Sequence, residues 1–167
     1  YETPAPVVTF SAAAIDDKGY LTVGEFFQSL PYNSATANSE LTTASFITGA
    51  ATVNVRGLGS NRVLTLVNGR RSVPYALTNS AGGTAQTVFN FNSIPSSAID
   101  RVEFLKDGAS AIYGSDAITG VYNIKLKNNY AGSSIDFTIS NTIKHDTLSK
   151  RVAVFTGLNR AGWEIVA

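Results

Sequence analysis

Few side chains in this sequence can do bond chemistry. There is no cysteine and one histidine, His145. That excludes thiolate metal sites, Cys nucleophiles and disulfides, and leaves a hydrolytic triad a single imidazole to draw on. His145 stands in Lys144-His-Asp146, between two β-type runs, the place of an exposed turn residue. Asp100 with Glu103, and Asp107 with Asp116, could be taken for acid–base pairs. Each has bases nearby, so they read as surface or structural ion pairs. Residues 14–25 imitate a calcium loop, with Gly19 at the sharp turn and Glu25 as last ligand, but Ala14 and Lys18 stand where oxygen ligands are needed. Gly57-Leu-Gly-Ser-Asn-Arg62 imitates a dinucleotide loop. Arg62 replaces its third glycine, and a strand-type run follows instead of the helix that would hold a pyrophosphate. No catalytic residue, metal site or cofactor is expected.

The remaining candidates are charges and aromatics, so their distribution matters. Residues 1–50 hold one base against five acids, a balance of −4; residues 51–130 hold eight bases against four acids, +4; residues 131–167 add +1. A basic middle could face nucleic acid or an acidic protein wall. The bases sit at strand ends and turns without forming a stripe, so no nucleic acid is expected. The chain has 167 residues, 44% hydrophobic and only 15% charged. Its polar remainder is neutral Ser, Thr, Asn and Gly, a composition that favours β-structure and allows one domain plus a small appendage. No apolar run approaches 20 residues, so no transmembrane helix is expected. The chain opens Tyr1-Glu-Thr-Pro4 and lacks Met, which reads as a processed or cut start.

The elements that must position these residues are short. Val7, Val8 and Phe10 read as a strand. Thr22-Val-Gly-Glu25 is a capping box opening a helix of about two turns, which Pro31 ends. Residues 32–50 are a Ser/Thr/Asn/Ala-rich loop, and residues 52–56 alternate weakly. Val63–Val67 is a buried strand turning at Asn68-Gly69, where both positions tolerate positive φ. Residues 74–93 read as a second long polar loop carrying Tyr75, Phe89 and Phe91, a mixture of contact area and adaptable hydrogen bonding suited to a ligand. A space-filling loop is the alternative. Pro95-Ser-Ser starts a helical turn, Val102–Lys106 is a strand, Ala109–Tyr113 is a helical turn between Gly108 and Gly114, and Val121–Lys127 is a strand. Beyond Asn129 come two β runs of roughly 9 residues, the length of a membrane-crossing strand. Trp163 opens a third run, and its place just after a turn suits an interfacial girdle. Ile135, Phe137 and Ile139 share one face of the first run, with Val152 and Val154 on one face of the second. Alternation alone fits a soluble antiparallel meander equally.

Two stretches are more specific than such patterns. Asn54-Val-Arg-Gly-Leu-Gly-Ser-Asn-Arg-Val-Leu-Thr-Leu-Val-Asn-Gly-Arg-Arg71 resembles the first motif of the plug domain of TonB-dependent outer-membrane receptors. Residues 94–127 resemble the second, through Ile94-Pro-Ser-Ser-Ala-Ile-Asp100, the strand Arg101–Leu105, the turn Lys106-Asp-Gly108, Ser110-Ala-Ile-Tyr-Gly114 and Gly120-Val-Tyr-Asn-Ile124. Pro6–Phe10 and the helix ending at Leu30-Pro31 resemble the start of that domain. Tyr122 departs from the pattern by standing where an aliphatic residue is usual.

The resemblance implies an α+β fold: a small mixed sheet of about four strands with short helices, lodged in a barrel of about 22 strands. Residues 1–130 would be the plug. Residues 131–167 would be the first two to three strands of the transmembrane barrel, beginning with an antiparallel hairpin. Arg56 and Arg101 would anchor the plug to carboxylates of the wall, with pairing inside the plug, to Asp100 or Glu103, as the alternative. Gly57, Gly59, Gly108, Gly114 and Gly120, with Asn68-Gly69, would make the motif turns; Tyr75, Phe89 and Phe91 would face the ligand. The implied partners are the protein's own barrel, TonB through a segment upstream of residue 1, and a nutrient such as a siderophore or a carbohydrate. The place is the bacterial outer membrane, with the plug open to the periplasm. The implied job is to occlude the pore, help bind the ligand and move when TonB pulls. A soluble periplasmic binding or interaction module is the alternative. Cut from its barrel, the hairpin would pair with a second copy or fold back on the plug.

Overall fold

The computed structural model describes residues 6–17, 20, 22–34, 50–77, 86–128, 132–141, 148–160 and 163–166. Strand β1 (Val7–Ser11) runs into helix α1 (Ala12–Asp16), which the sequence reading left unassigned; Ser11 caps it by accepting a hydrogen bond from the Ala14 amide. Helix α2 (Val23–Ser29) begins as the capping box requires, the Glu25 amide donating to Thr22 Oγ1 at 3.0 Å, and ends before Pro31. Strands β2 (Val63–Val67) and β3 (Arg70–Arg71) flank the Asn68-Gly69 turn. Strands β4 (Tyr75–Leu77) and β5 (Gln86–Val88) pair with each other, so residues 74–93 are not one irregular loop. Then come β6 (Ile99–Leu105), α3 (Ser110–Tyr113) and β7 (Gly120–Leu126), followed by β8 (Gly132–Asn141), β9 (Leu148–Arg160) and β10 (Trp163–Val166).

The main sheet has the order β1-β6-β7-β2-β3. β2 and β7 are parallel and every other pair is antiparallel, which makes the sheet mixed. One face is buried under α2 and the 50–55 segment. Val102, Phe104, Tyr122 and Ile124 meet Phe26, Phe27, Val53 and Val55 there. The aromatics interlock: Phe104 stacks on Tyr122 with centroids 4.2 Å apart, and Phe27 lies edge-on to Tyr122 at 4.7 Å. Burying each such ring is worth roughly 2–3 kcal/mol, so this cluster contributes heavily to the stability of the domain. Close packing of α2 depends on Gly24: a Cβ there would lie 2.2 Å from Ala51 Cβ. On the other face Leu64, Leu66 and Val121 pack under Ala109 and Ala117. The rest of that face is polar, with Thr9 opposite Glu103 and Glu103 opposite Asn123.

β8, β9 and β10 form a separate antiparallel sheet in which the β8–β9 register runs unbroken from Gly132↔Gly157 to Asn141↔Leu148. The weak alternation at 52–56 produces no ladder strand, only a bridge between Asn33 and Val55, although residues 50–55 are all buried.

Candidate functional site

The motif turns lie at the ends of the main sheet, where the backbone must reverse over a filled core. Arg56 has φ 57 and Gly57 φ 72, so the first motif's turn puts a non-glycine residue in the left-handed region. What holds it there is a set of cross-links. The Arg56 amide donates to the Tyr32 carbonyl at 2.9 Å, and its guanidinium donates to the Lys106 carbonyl at 3.0 Å and lies 3.8 Å from Asp107. Lys106 Nζ sits 4.5 Å above the Tyr32 ring, and the Lys106 amide donates to the Pro6 carbonyl. The turns of the two motifs are therefore tied to each other and to the entry of the chain. Gly59 is fixed by Asn54, whose side-chain oxygen accepts from its amide at 2.7 Å.

Asn68 has φ 50 and does more than turn: its side chain accepts from the Leu126 amide at 2.9 Å, while Asn123 accepts from the Gly69 amide. Gly120 is needed twice over. Its φ is 145, and a Cβ would lie 2.6 Å from the Leu105 carbonyl oxygen. Gly108 passes close to the Ile118 carbonyl, and Gly114 ends α3 with positive φ.

Arg101 does not reach out alone. Its Nε donates to Glu103 at 2.9 Å and its Nη1 to Asp100 at 2.8 Å, and the hydrogen bonds to Glu103 and then Asp100 raise its pKa. Glu103 in turn accepts from Asn123 at 2.9 Å, extending the network across β6 and β7. Both Arg56 and Arg101 remain about half exposed.

The three aromatics of the 74–93 segment are separated by the fold. Phe91 is 1% exposed, packed against Phe27 at 4.4 Å, so it belongs to the core and not to a ligand face. Its placement follows from the turn Phe91–Ser93, which Asn90 caps, the Phe91 amide donating to the Ala51 carbonyl. Phe89 is half-buried and edge-on to Phe91. Tyr75 lies in β4, its side chain outside the described residues, as is His145.

Phe89 borders a cleft of about 350 Å³ between β2, β3 and β5, with Asn61, Thr65, Arg71, Ser72 and Asp116 also lining it. The sequence reading missed its fixed point. Arg71 binds both the Asp116 carboxylate and the Tyr113 carbonyl, which locks the β3 end onto the α3 corner. The Arg71 hydrogen bond holds the Asp116 carboxyl below its ordinary range. The available signal was a pair of arginines directly after a hairpin turn, but their acidic partner is 45 residues away in sequence. Amide, hydroxyl and aromatic edge can bind a polar ligand. Among the described residues no three His, Cys, Asp or Glu side chains gather as a metal site.

This fold and these motif turns are those of a receptor plug. The family profile described as the TonB-dependent Receptor Plug Domain matches residues 1–121, and the chain belongs to that family, one of transporter components and not of enzymes. Among curated relatives, it is 45% identical over 75 residues to the Vitamin B12 transporter BtuB of Vibrio vulnificus, covering 45% of this chain and 11% of that protein. It is 27% identical over 146 residues to the iron-regulated outer membrane virulence protein of Vibrio cholerae, covering 87% of this chain and 21% of that protein. The chain thus spans only about a tenth to a fifth of the length of these relatives. Of solved structures, the siderophore receptor PirA from Acinetobacter baumannii matches with TM-score 0.64 at 26% identity, over 91% of this chain and 22% of that one. A variant of the ferric enterobactin receptor PfeA from Pseudomonas aeruginosa, in complex with enterobactin, matches in fold with TM-score 0.63 at 21% identity, over 95% and 23%.

Proposed function

We propose that this chain is the gate of an outer-membrane transporter. Residues 1–130 are the plug and residues 131–167 the first strands of the barrel that encloses it. The plug occludes the pore, presents the segment around β4 and β5 to the incoming nutrient, and moves when TonB engages a segment upstream of residue 1. The observation that carries this reading is the inverted hairpin. Ile135, Phe137, Ile139, Val152 and Val154 are 60% to 75% exposed on one side, while Phe155 on the other side is 4% exposed. Apolar outward and covered inward is the pattern of a barrel wall set between lipid and plug. The nutrient class supported by the relatives' names is a large metal chelate, a ferric siderophore or a cobalamin; a carbohydrate is the competing class. Arg56 and Arg101, half exposed and held by their own carboxylates, still have guanidinium surface with which to anchor the plug to the wall.

The soluble-module reading draws on the same buried Phe155, since a hairpin that covers the plug could be part of its fold. The ligand-binding part of the proposal is tested in the full receptor. β4 and β5 close with Leu77 opposite Gln86, so residues 78–85 can be replaced by an Asn-Gly turn without altering the register. Ligand affinity, measured with ferric enterobactin, cyanocobalamin and a maltooligosaccharide, should fall at least about tenfold for one of the chelates, with folding intact. Unchanged affinity for every ligand the receptor binds would remove this segment from the site.

A further inference from the structure

Strand β9 carries one aromatic side chain that behaves unlike its neighbours. Phe155 is 4% exposed, whereas Val152 and Val154 are 62% and 63% exposed. It closes a cleft of about 370 Å³ against Ile94, Pro95, Ala98, Leu126 and Asn128. That is the corner where β7 ends and the turn Ser96–Ala98 leads into β6. The corner is cross-tied: the Lys127 amide donates to the Ala98 carbonyl at 2.9 Å, the Leu126 amide to Asn68 Oδ1 at 2.9 Å, and the Asn68 amide to the Ile124 carbonyl at 2.9 Å. Three strands and a helical turn therefore meet where Phe155 docks. The β1 edge of the sheet, two strands away from β7, differs. Among the described residues β1 has β6 as its one ladder partner, and its Val7, Thr9 and Ser11 are exposed.

We propose that Phe155 is a pin that fixes the C-terminal corner of the plug to the barrel wall, so that transport moves the β1 margin while the β7 corner stays in place. This rests on the barrel reading of β8 to β10. The chemistry is an aromatic ring from the wall seated among aliphatic side chains of the plug, next to the covalent link between β7 and β8. Movement of the plug is then a hinged displacement about this corner and not release of the whole domain.

The test is hydrogen exchange of the full-length receptor in detergent, comparing wild type with Phe155→Ala, Phe155→Val and the outward-facing control Val152→Ala. The Ala98, Leu126 and Lys127 amides should exchange at least about tenfold faster in Phe155→Ala and about threefold faster in Phe155→Val, with β1 and β6 amides unchanged. Val152→Ala should leave all of them alone. Corner exchange within about twofold of wild type in both Phe155 variants would overturn the pin. If Phe155→Ala does not assemble, Phe155→Val alone decides. The β8–β9 ladder is read in the same experiment. A protected ladder with an unresponsive corner overturns the pin alone; an unprotected ladder in wild type overturns the barrel reading with it.

Discussion

Tyr122 is the residue at which this chain departs from the usual plug motif, and its cost is local. The ring is fully buried and stacked on Phe104, but its hydroxyl is buried with no hydrogen-bond partner among the described residues. Burial, with a smaller contribution from Tyr32, pushes its pKa far up, so the hydroxyl stays neutral. A buried hydroxyl without a partner costs about 1–3 kcal/mol, so Tyr122→Phe should leave stability to urea unchanged or raise it by about 1 kcal/mol. A clear loss would mean that the hydroxyl is bonded. Asp116 gives a pH-dependent counterpart. Its pKa is depressed in the folded state, so the Arg71 pair contributes fully above the unfolded value near 3.9 and is lost as pH falls through the lower folded value. Both side chains are about half exposed, which limits the contribution near pH 7 to about 1 kcal/mol or less. Asp116→Asn should therefore flatten the fall in unfolding midpoint between about pH 4 and pH 2. An unaltered pH profile would show that the pair does not hold in solution. Each feature is legible in the sequence only in part: the aromatic at 122 is visible as a departure and Asp116 as a member of an ion pair, but the missing partner of the one and the arginine of the other, 45 residues away, are properties of packing.

At the scale of elements, local chemistry carried well and distant pairing did not. The Thr22 cap, the Asn68-Gly69 turn and the β6–α3–β7 unit stand where hydroxyl, glycine and alternation put them, because each is decided within a few residues. Helix α1 went unread because three alanines give no amphipathic signal. The β4–β5 pair hid in a polar composition, and with it the burial of Phe91, which depends on the backbone bond to Ala51. The parallel β2–β7 pair crosses more than fifty residues, and no periodicity announces it. Gly120 is where that pair starts, opposite Val63. Gly120→Ala should destabilise the plug by about 2 kcal/mol or more, because the backbone region and the Leu105 carbonyl both exclude a Cβ. A near-wild-type unfolding midpoint would mean that the turn can shift. The hairpin offers a second test. Single cysteines at 135, 137, 139 and 154 in the receptor should be protected from a membrane-impermeant maleimide and quenched by lipid-borne nitroxides when labelled. Ready aqueous labelling at all four would favour the soluble module.

For the whole molecule, the two larger sheets divide the work: a mixed sheet with a dense aromatic core on one face and a largely polar other face, and an antiparallel sheet with its apolar side outward. A domain enclosed in a polar lumen needs hydrogen bonds on its surface, and the Asp100–Arg101–Glu103–Asn123 network supplies them. On the proposed reading, the basic balance of residues 51–130 has the same logic and would suit an acidic wall. The role proposed for this domain is to close a pore. The most direct measurement is the conductance of the full-length receptor in planar bilayers, with and without residues 1–127. The intact receptor should be closed, and the truncated one should show steady large-pore conductance, since a barrel of about 22 strands has a lumen that only a plug fills. Equal conductance from the two forms, with both correctly folded in the bilayer, would contradict it.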